Sequence, residues 1–185
     1  NSVNAEEASL QRLLPIAREY GAAIIGLVLD DDGITHDPEK RLKIAEKIIE
    51  RAVRIGINEA DVIIDPMAMA VSADPNACRV TLETIRLVHG RLGHNITQGA
   101  SNISFGLPNR ENINNAFMAM SIMYGLTCPI ANPDKITGLV RAADQQDVGH
   151  LAGHQLVENL ERKIEVVTAG HGLHRCVHCE SPGVR

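Results

Sequence analysis

The sequence predicts an α/β fold of the (β/α)8 barrel type, with fewer units than a whole barrel holds. Three observations carry this. Short apolar runs rich in β-branched residues alternate about five times with longer stretches of helical spacing. Each strand–helix–strand succession reads as a βαβ unit, which makes the strands parallel. The chain has 185 residues, whereas a complete barrel of this type takes about 250.

The elements follow in order. Asn1–Asn4 reads as the end of a strand. From Ala5 to Glu19 the apolar residues Leu10, Leu13, Leu14 and Ala17 recur at helical spacing, and Pro15 predicts a kink or break there. Ala22–Leu29 is a continuous apolar run, as expected of a strand covered on both faces. Asp30-Asp31-Asp32-Gly33 opens a loop. Asp37 followed by Pro38 is a helix start, with the carboxylate as N-cap and proline at the first helical position. That helix runs to about Ile55, with Leu42, Ala45, Ile48, Ile49, Ala52 and Val53 as its apolar side, and Gly56 stops it. Val62–Ile64 is a strand ending in Asp65-Pro66. Pro75 to about Leu92 is a helix, Ile96–Ser101 a strand, and Asn112–Tyr124 a Met- and Ala-rich helix stopped by Gly125. Thr127–Ala131 is a strand, and Pro133 starts a further helix. After about Ala143 the pattern weakens. Residues 144–185 read as one divergent amphipathic helix, Leu156–Ile164, and a disordered tail, against a barrel portion spanning 1–143.

Composition narrows the functional classes. Hydrophobic residues make up 44% and charged residues 22%, which describes a globular chain. Aromatics are 2%, so platforms for stacking single-stranded bases are not expected. A net charge of -5 also disfavours a nucleic-acid partner. The longest strongly apolar run, Ala22–Leu29, is far short of the roughly 20 residues a membrane-spanning helix needs. No basic-then-apolar signal opens the chain, which does not begin with Met and is read as a processed product or a piece of something longer. Cys78 and Cys128 sit in apolar surroundings, and Cys176 and Cys179 form a lone pair. With no disulfide framework, a reducing cytoplasm is expected.

In parallel α/β proteins chemistry collects at the carboxyl ends of the strands. Three such ends carry polar groups: Asn1–Asn4, Asp65, and Ser101-Asn102. An ionised Asp65 presents two acceptor oxygens and no donor. It suits a ligand edge with two N–H groups side by side, such as the 2-amino and N3–H edge of a pterin or guanine. It equally suits capping the next loop or pairing with an arginine. Asn1 and Asn102 each offer a donor and an acceptor, as a heterocycle edge or a turn would require. The run Asp30–Asp32 reads as a solvated loop, and Met118, Met120 and Met123 as core packing. His171, His174, Cys176, His178 and Cys179 are zinc-type donors, but one CxxC without a second spaced pair is weak, and no metal site is assigned.

The stretch Gly99-Ala100-Ser101-Asn102-Ile103-Ser104-Phe105-Gly106-Leu107-Pro108-Asn109-Arg110, continued by Asn112-Ile113-Asn114-Asn115-Ala116-Phe117, closely resembles the methyltetrahydrofolate:corrinoid methyltransferases. These form part of the pterin-binding superfamily with dihydropteroate synthase and the folate domain of cobalamin-dependent methionine synthase. Asn1–Asn4, Gly21–Gly33 with Arg41, and Asp61–Pro66 resemble the same family in the same order, covering the chain to about Pro133. The resemblance implies a (β/α)8 barrel of which strands four to eight are present and the first three absent. It implies Asn1, Asp65 and Asn102 as pterin-binding residues, with Asn102 near N5, where its amide could reorient as charge changes. The implied activity is methyl transfer between N5 of methyltetrahydrofolate and the cobalt of a corrinoid (cobalamin) carried by a partner protein. The alternatives are a dihydropteroate synthase-like enzyme, for which no convincing late Lys-Arg pair is visible, and a non-catalytic binding module. An open five-strand piece would expose sheet edges, so a homodimer, borrowed strands or a longer parent chain is expected.

Overall fold

The computed structural model describes residues 2–132 and 136–138. Up to residue 132, five short strands alternate with four helices: β1 (Ser2–Asn4), α1 (Glu7–Glu19), β2 (Ile24–Leu27), α2 (Pro38–Arg54), β3 (Val62–Asp65), α3 (Ala77–Leu87), β4 (Thr97–Gly99), α4 (Arg110–Met123) and β5 (Cys128–Ile130). All strand pairings are parallel. β1, β2 and β3 form one set, with Asn4 opposite Leu27 and Leu27 opposite Asp65. β4 and β5 form the other. The sets meet at a single parallel bridge between Ile64 and Ile96, where the Ile64 N–H donates to Asn95 O at 2.9 Å. The row of strands is therefore β1-β2-β3-β4-β5 in chain order.

The sheet has one sealed face and one half-open face. Val3, Ile24, Val28, Val62 and Ile64 are 5% exposed or less. Their alternates Ile25, Leu27, Ile63 and Asp65 are only half-buried. The expectation that Ala22–Leu29 is covered on both faces is corrected: burial alternates with period two along β2 and β3. The sealed face carries the helices. A β-carbon on Gly26 would stand 3.0 Å from Ile48 Cγ2 of α2, so glycine there lets helix and strand close up. Gln98 of β4 points the same way and donates to Ser121 Oγ of α4 at 2.7 Å.

α2 obeys its local signals, whereas α1 and α3 depart from theirs. Asp37 accepts the Glu39 N–H and Pro38 starts α2. Arg41, Ala45, Ile48 and Ala52 form its buried stripe. α1 continues through Pro15, against the expected break. Pro15 lies on the exposed side of α1, where water can serve the carbonyl that loses its N–H partner. α3 starts at Ala77 rather than Pro75 and extends through one wider turn, Val88–Leu92, to Gly93. β4 stops at Gly99, short of Ser101, because Ala100–Ser104 coils into a 3₁₀ turn. The helix expected from Pro133 is represented by helical residues 136–138, and its start lies outside the described residues, as do residues 144–185 with the His/Cys group. Among the described residues no helix is long and apolar enough to cross a membrane.

Exposed bidentate pairs tie helix to helix, Arg51 with Glu7 (α2 to α1) and Arg91 with Glu39 (the end of α3 to α2). Each is worth little in water. Tighter packing holds α3 to the α4–β5 turn. Gly125 has φ +110°, and a β-carbon there would lie 2.4 Å from His89 Cγ. Gly125→Ala is expected to cost about 2 kcal/mol or more, from left-handed strain plus the clash. His89→Ala in the same background should return the steric part and leave the strain. Chemical denaturation of the two variants checks this, and wild-type stability in Gly125→Ala would refute the packing.

Candidate functional site

Polar groups gather where β3 and β4 end. Asp65 is the last residue of β3, and strand alternation stands its side chain on the half-open face beside Leu27. Its Oδ1 accepts the Met67 N–H at 2.8 Å. Met67 itself has φ +61°, in the left-handed region a Met rarely adopts. The loop-capping alternative for Asp65 is thus realised through one oxygen. An ionised carboxylate has further acceptor capacity. Burial pushes the Asp65 carboxyl above the usual carboxylate range, against the Met67 N–H and the Arg41 charge, which pull it down.

Arg41 is the cation behind it. It is 1% exposed. Its Nε donates to Thr35 O at 2.8 Å, and its Nη1 to Pro66 O at 2.7 Å and Met67 O at 3.2 Å. One buried guanidinium therefore joins the β2–α2 loop to the β3–α3 loop. Asp65 and Asp74 supply its electrostatic balance. Asp74 in turn holds the exposed His36 Nδ1 at 2.9 Å, a second link between the same loops.

The β4 end is built differently from the expectation. Ser101 and Asn102 lie in the 3₁₀ turn, not on the strand. The misread has a local cause: the apolar, β-branched run fails at Gln98, and Gly99 with Ala100 lets the chain coil. Arg110 at the start of α4 braces the turn, donating Nη2 to Ser101 O at 2.8 Å and Nε to Ser104 Oγ at 3.0 Å. The same guanidinium stands 5.9 Å from the centre of the exposed Phe105 ring. Asn102 is exposed, and its amide folds back over the end of the strand: a β-carbon on Gly99 would sit 3.4 Å from Asn102 Nδ2.

The β3 and β4 ends are stitched together. The Val71 N–H donates to Ile103 O at 3.0 Å, and Ser72 Oγ to Phe105 O at 2.7 Å. The loop that starts at Asp65 thus borders the turn that carries Asn102. At the β1 end, Asn4 faces the row of Leu27 and Asp65 but uses its Oδ1 to hold the Glu6 N–H, a turn role. Asn1 lies outside the described residues. Asp30–Asp32 forms a tight turn in which Asp30 Oδ1 accepts the Asp32 N–H. Sequence reasoning placed Arg41 only by resemblance. Its signal was present: a charged residue at the head of the stripe 41-45-48-52, which is otherwise apolar.

Comparison with known proteins bears on the same region. The family model described as pterin binding enzyme matches residues 1–132. The methylcorrinoid:tetrahydrofolate methyltransferase of Eubacterium limosum is 29% identical over 151 residues, covering 78% of this chain and 55% of that protein. The methionine synthase of Mycobacterium tuberculosis is 30% identical over 159 residues, 79% of this chain and 13% of that protein. The Mycobacterium leprae methionine synthase is 29% identical, with the same coverage of both chains. The chain thus spans about half the length of the first relative and a small part of the methionine synthases. The match takes in the strand ends bearing Asp65 and Asn102, and the chain belongs to the pterin binding enzyme family.

Proposed function

We propose that this chain moves a methyl group between N5 of methyltetrahydrofolate, or a related reduced pterin, and the cobalt of a corrinoid held by a partner protein. The observation that carries the reading is Asp65: a half-buried carboxylate at a strand end, one oxygen fixed by Met67 and acceptor capacity left for a ligand. The names of the relatives support the same chemistry. Asp65 accepts the 2-amino and N3–H groups of the pterin, and the two-point contact sets the ring's orientation. Asn1 adds a polar contact to the ring. Asn102, on the adjoining turn, hydrogen-bonds N5.

The difficulty in such a transfer is the leaving group, because a tertiary amine releases its methyl reluctantly. With the partner's reduced corrinoid as methyl acceptor, the methyl would leave N5 for the cobalt, N5 would keep the electron pair of the broken bond, and a proton from solvent would neutralise it. The corrinoid supplies a strongly nucleophilic reduced cobalt. This chain's residues hold the ring and polarise N5. An amide suits N5 because it can donate to a lone pair or accept from an N–H by turning over. The exposed turn bearing Asn102 has room for that turn.

The same proposal takes the five parallel strands as barrel strands four to eight, the protein as cytoplasmic, and the working form as a homodimer. Support for the last is the apolar surface at both ends of the row of described strands. Ile16 and Tyr20 of α1 are 48% and 77% exposed, and Met123 at the end of α4 and Ile130 in β5 are 59% and 42% exposed. Sedimentation or size-exclusion chromatography should return a dimer, and a stable soluble monomer would remove that part of the reading.

Asp65→Asn is expected to weaken methyltetrahydrofolate binding by roughly 100-fold, the scale of a lost two-point charged contact, while keeping the fold. The stability sign is opposite. A carboxyl raised on folding binds its proton more tightly in the folded state, so ionising it costs stability as pH climbs from the usual 3.8 through the raised value. The Asn variant should therefore be the more stable at neutral pH, and the gap should close in acid. Calorimetry and denaturation curves check both; equal losses of binding and stability would make Asp65 structural. Asn102→Ala should lower the transfer rate to free cob(I)alamin by about 10²-fold or more, and affinity far less. An unchanged rate would end its assigned role, and pterin binding with no transfer in the wild type would favour a binding module.

A further inference from the structure

Arg41 is a costly residue for its position. It occupies the first turn of α2 on the stripe otherwise made of Ala45, Ile48 and Ala52, and is almost wholly enclosed. A guanidinium out of water needs hydrogen-bond partners and opposite charge. All three of its side-chain hydrogen bonds go to backbone carbonyls: Thr35, Pro66 and Met67. Two of these belong to the residues that immediately follow Asp65. An apolar residue at 41 would fill the stripe at lower cost, so simple packing does not explain an arginine there.

The geometry of the next link gives it a purpose. The Met67 N–H lies against the Asp65 Oδ1, and Met67 itself is held at φ +61°. Left-handed backbone in a residue with a β-carbon is strained and persists where surroundings enforce it. Arg41 binds the carbonyls on both sides of the Met67 nitrogen, those of Pro66 and Met67. It therefore fixes the peptide whose N–H orients the carboxylate.

We propose that Arg41 is the positioning residue of the pterin carboxylate: it pins the Pro66–Met67 backbone that orients Asp65 and places a permanent positive charge behind it. The proposal rests on the reading of Asp65 as a pterin ligand. The charged groups around the pair are Asp65 on β3, Asp74 on the β3–α3 loop, and His36 on the β2–α2 loop, which pairs with Asp74. Asp74 is held below the usual carboxylate range, first by the Asn76 N–H, so it is ionised across the range in which Asp65 titrates. Without the Arg41 charge, burial acts on Asp65 with less opposition, and its proton leaves at higher pH. Binding that needs the ionised carboxylate would then fail earlier on acidification.

The test uses Arg41→Gln and Arg41→Lys, with Asp65→Asn as reference. Affinity for 5-methyltetrahydrofolate is measured by calorimetry from acid to neutral pH. The Asp65 carboxyl is followed by carbon NMR in the ligand-free protein. Arg41→Gln should lose about tenfold in affinity at neutral pH, the scale of one supporting interaction, and its acid limb should move to higher pH. Arg41→Lys should lose affinity but keep the limb near its wild-type place, because charge survives where the forked geometry does not. Asp65→Asn should show no limb. A merely structural arginine would lower melting temperature in both variants and leave the limb and the NMR midpoint where they were; that result overturns the proposal. Should Arg41→Gln not fold, Arg41→Lys decides: an affinity equal to the wild type overturns it. If the wild type does not bind 5-methyltetrahydrofolate, or Asp65→Asn binds as well as the wild type, the pterin reading of Asp65 fails instead. The NMR midpoint of Arg41→Gln then decides the Arg41–Asp65 coupling alone.

Discussion

The site depends on one narrow junction in the sheet. Three strands and two strands meet through a single bridge, Ile64 to Ile96, both wholly buried. Asp65 is the residue after Ile64. Asn102 lies six residues after Ile96, through β4 and a 3₁₀ turn. The bridge sets the register between these two ends, and the loop bonds from Val71 to Ile103 and Ser72 to Phe105 carry it outward. A one-residue slip would turn Asp65 toward the helices, where a carboxylate has no water and no prepared partner.

The sheet's two faces divide the labour. The helix-facing positions are sealed and supply the apolar burial, with Gly26 bringing α2 close and Ile48 filling the gap. The other face is half-open and carries Asp65. This difference sets the electrostatics. A carboxylate on the sealed face would be neutral or paired, and one on a free loop would be water's partner alone. At the strand end Asp65 is buried enough for its contacts to be strong, yet has acceptor capacity toward the open face.

Much of the frame was readable from the residues. Asp37-Pro38 marked the start of α2, Gly56 and Gly125 marked helix ends, and Val62–Asp65 marked β3, because each signal is local chemistry. Asp65 stood out as a charge closing an apolar run. The Ser101-Asn102 turn was misplaced on a strand because the local break at Gln98-Gly99-Ala100 is subtle, and the groups that brace the coil are remote: Arg110, eight residues beyond Asn102, and the neighbouring Ser72 loop. Pro15 was overread, since its effect depends on which side of α1 meets water. Arg41 was hardest. Helical spacing marks the stripe it shares with Ala45 and Ile48, but its partners are carbonyls, and no side-chain pattern reports a carbonyl.

That last point bears on how such a site holds together. Side chains that contact a ligand can be sought by their chemistry, whereas the groups that aim them work through the backbone. In this molecule the aiming is done from the unit before: α2 follows β2, yet its arginine grips the loop that follows β3. The β4 end repeats the device with the opposite sense, where Arg110 of α4 grips the turn just before it. Arg41 satisfies carbonyls, and Arg110 a carbonyl and a hydroxyl, that a tight turn would otherwise leave to water, and each puts positive charge beside a polar strand end. A strand supplies direction but ends abruptly. Forked cations on α2 and α4 turn those abrupt ends into fixed ones, and fixed ends are what orienting a flat ring requires.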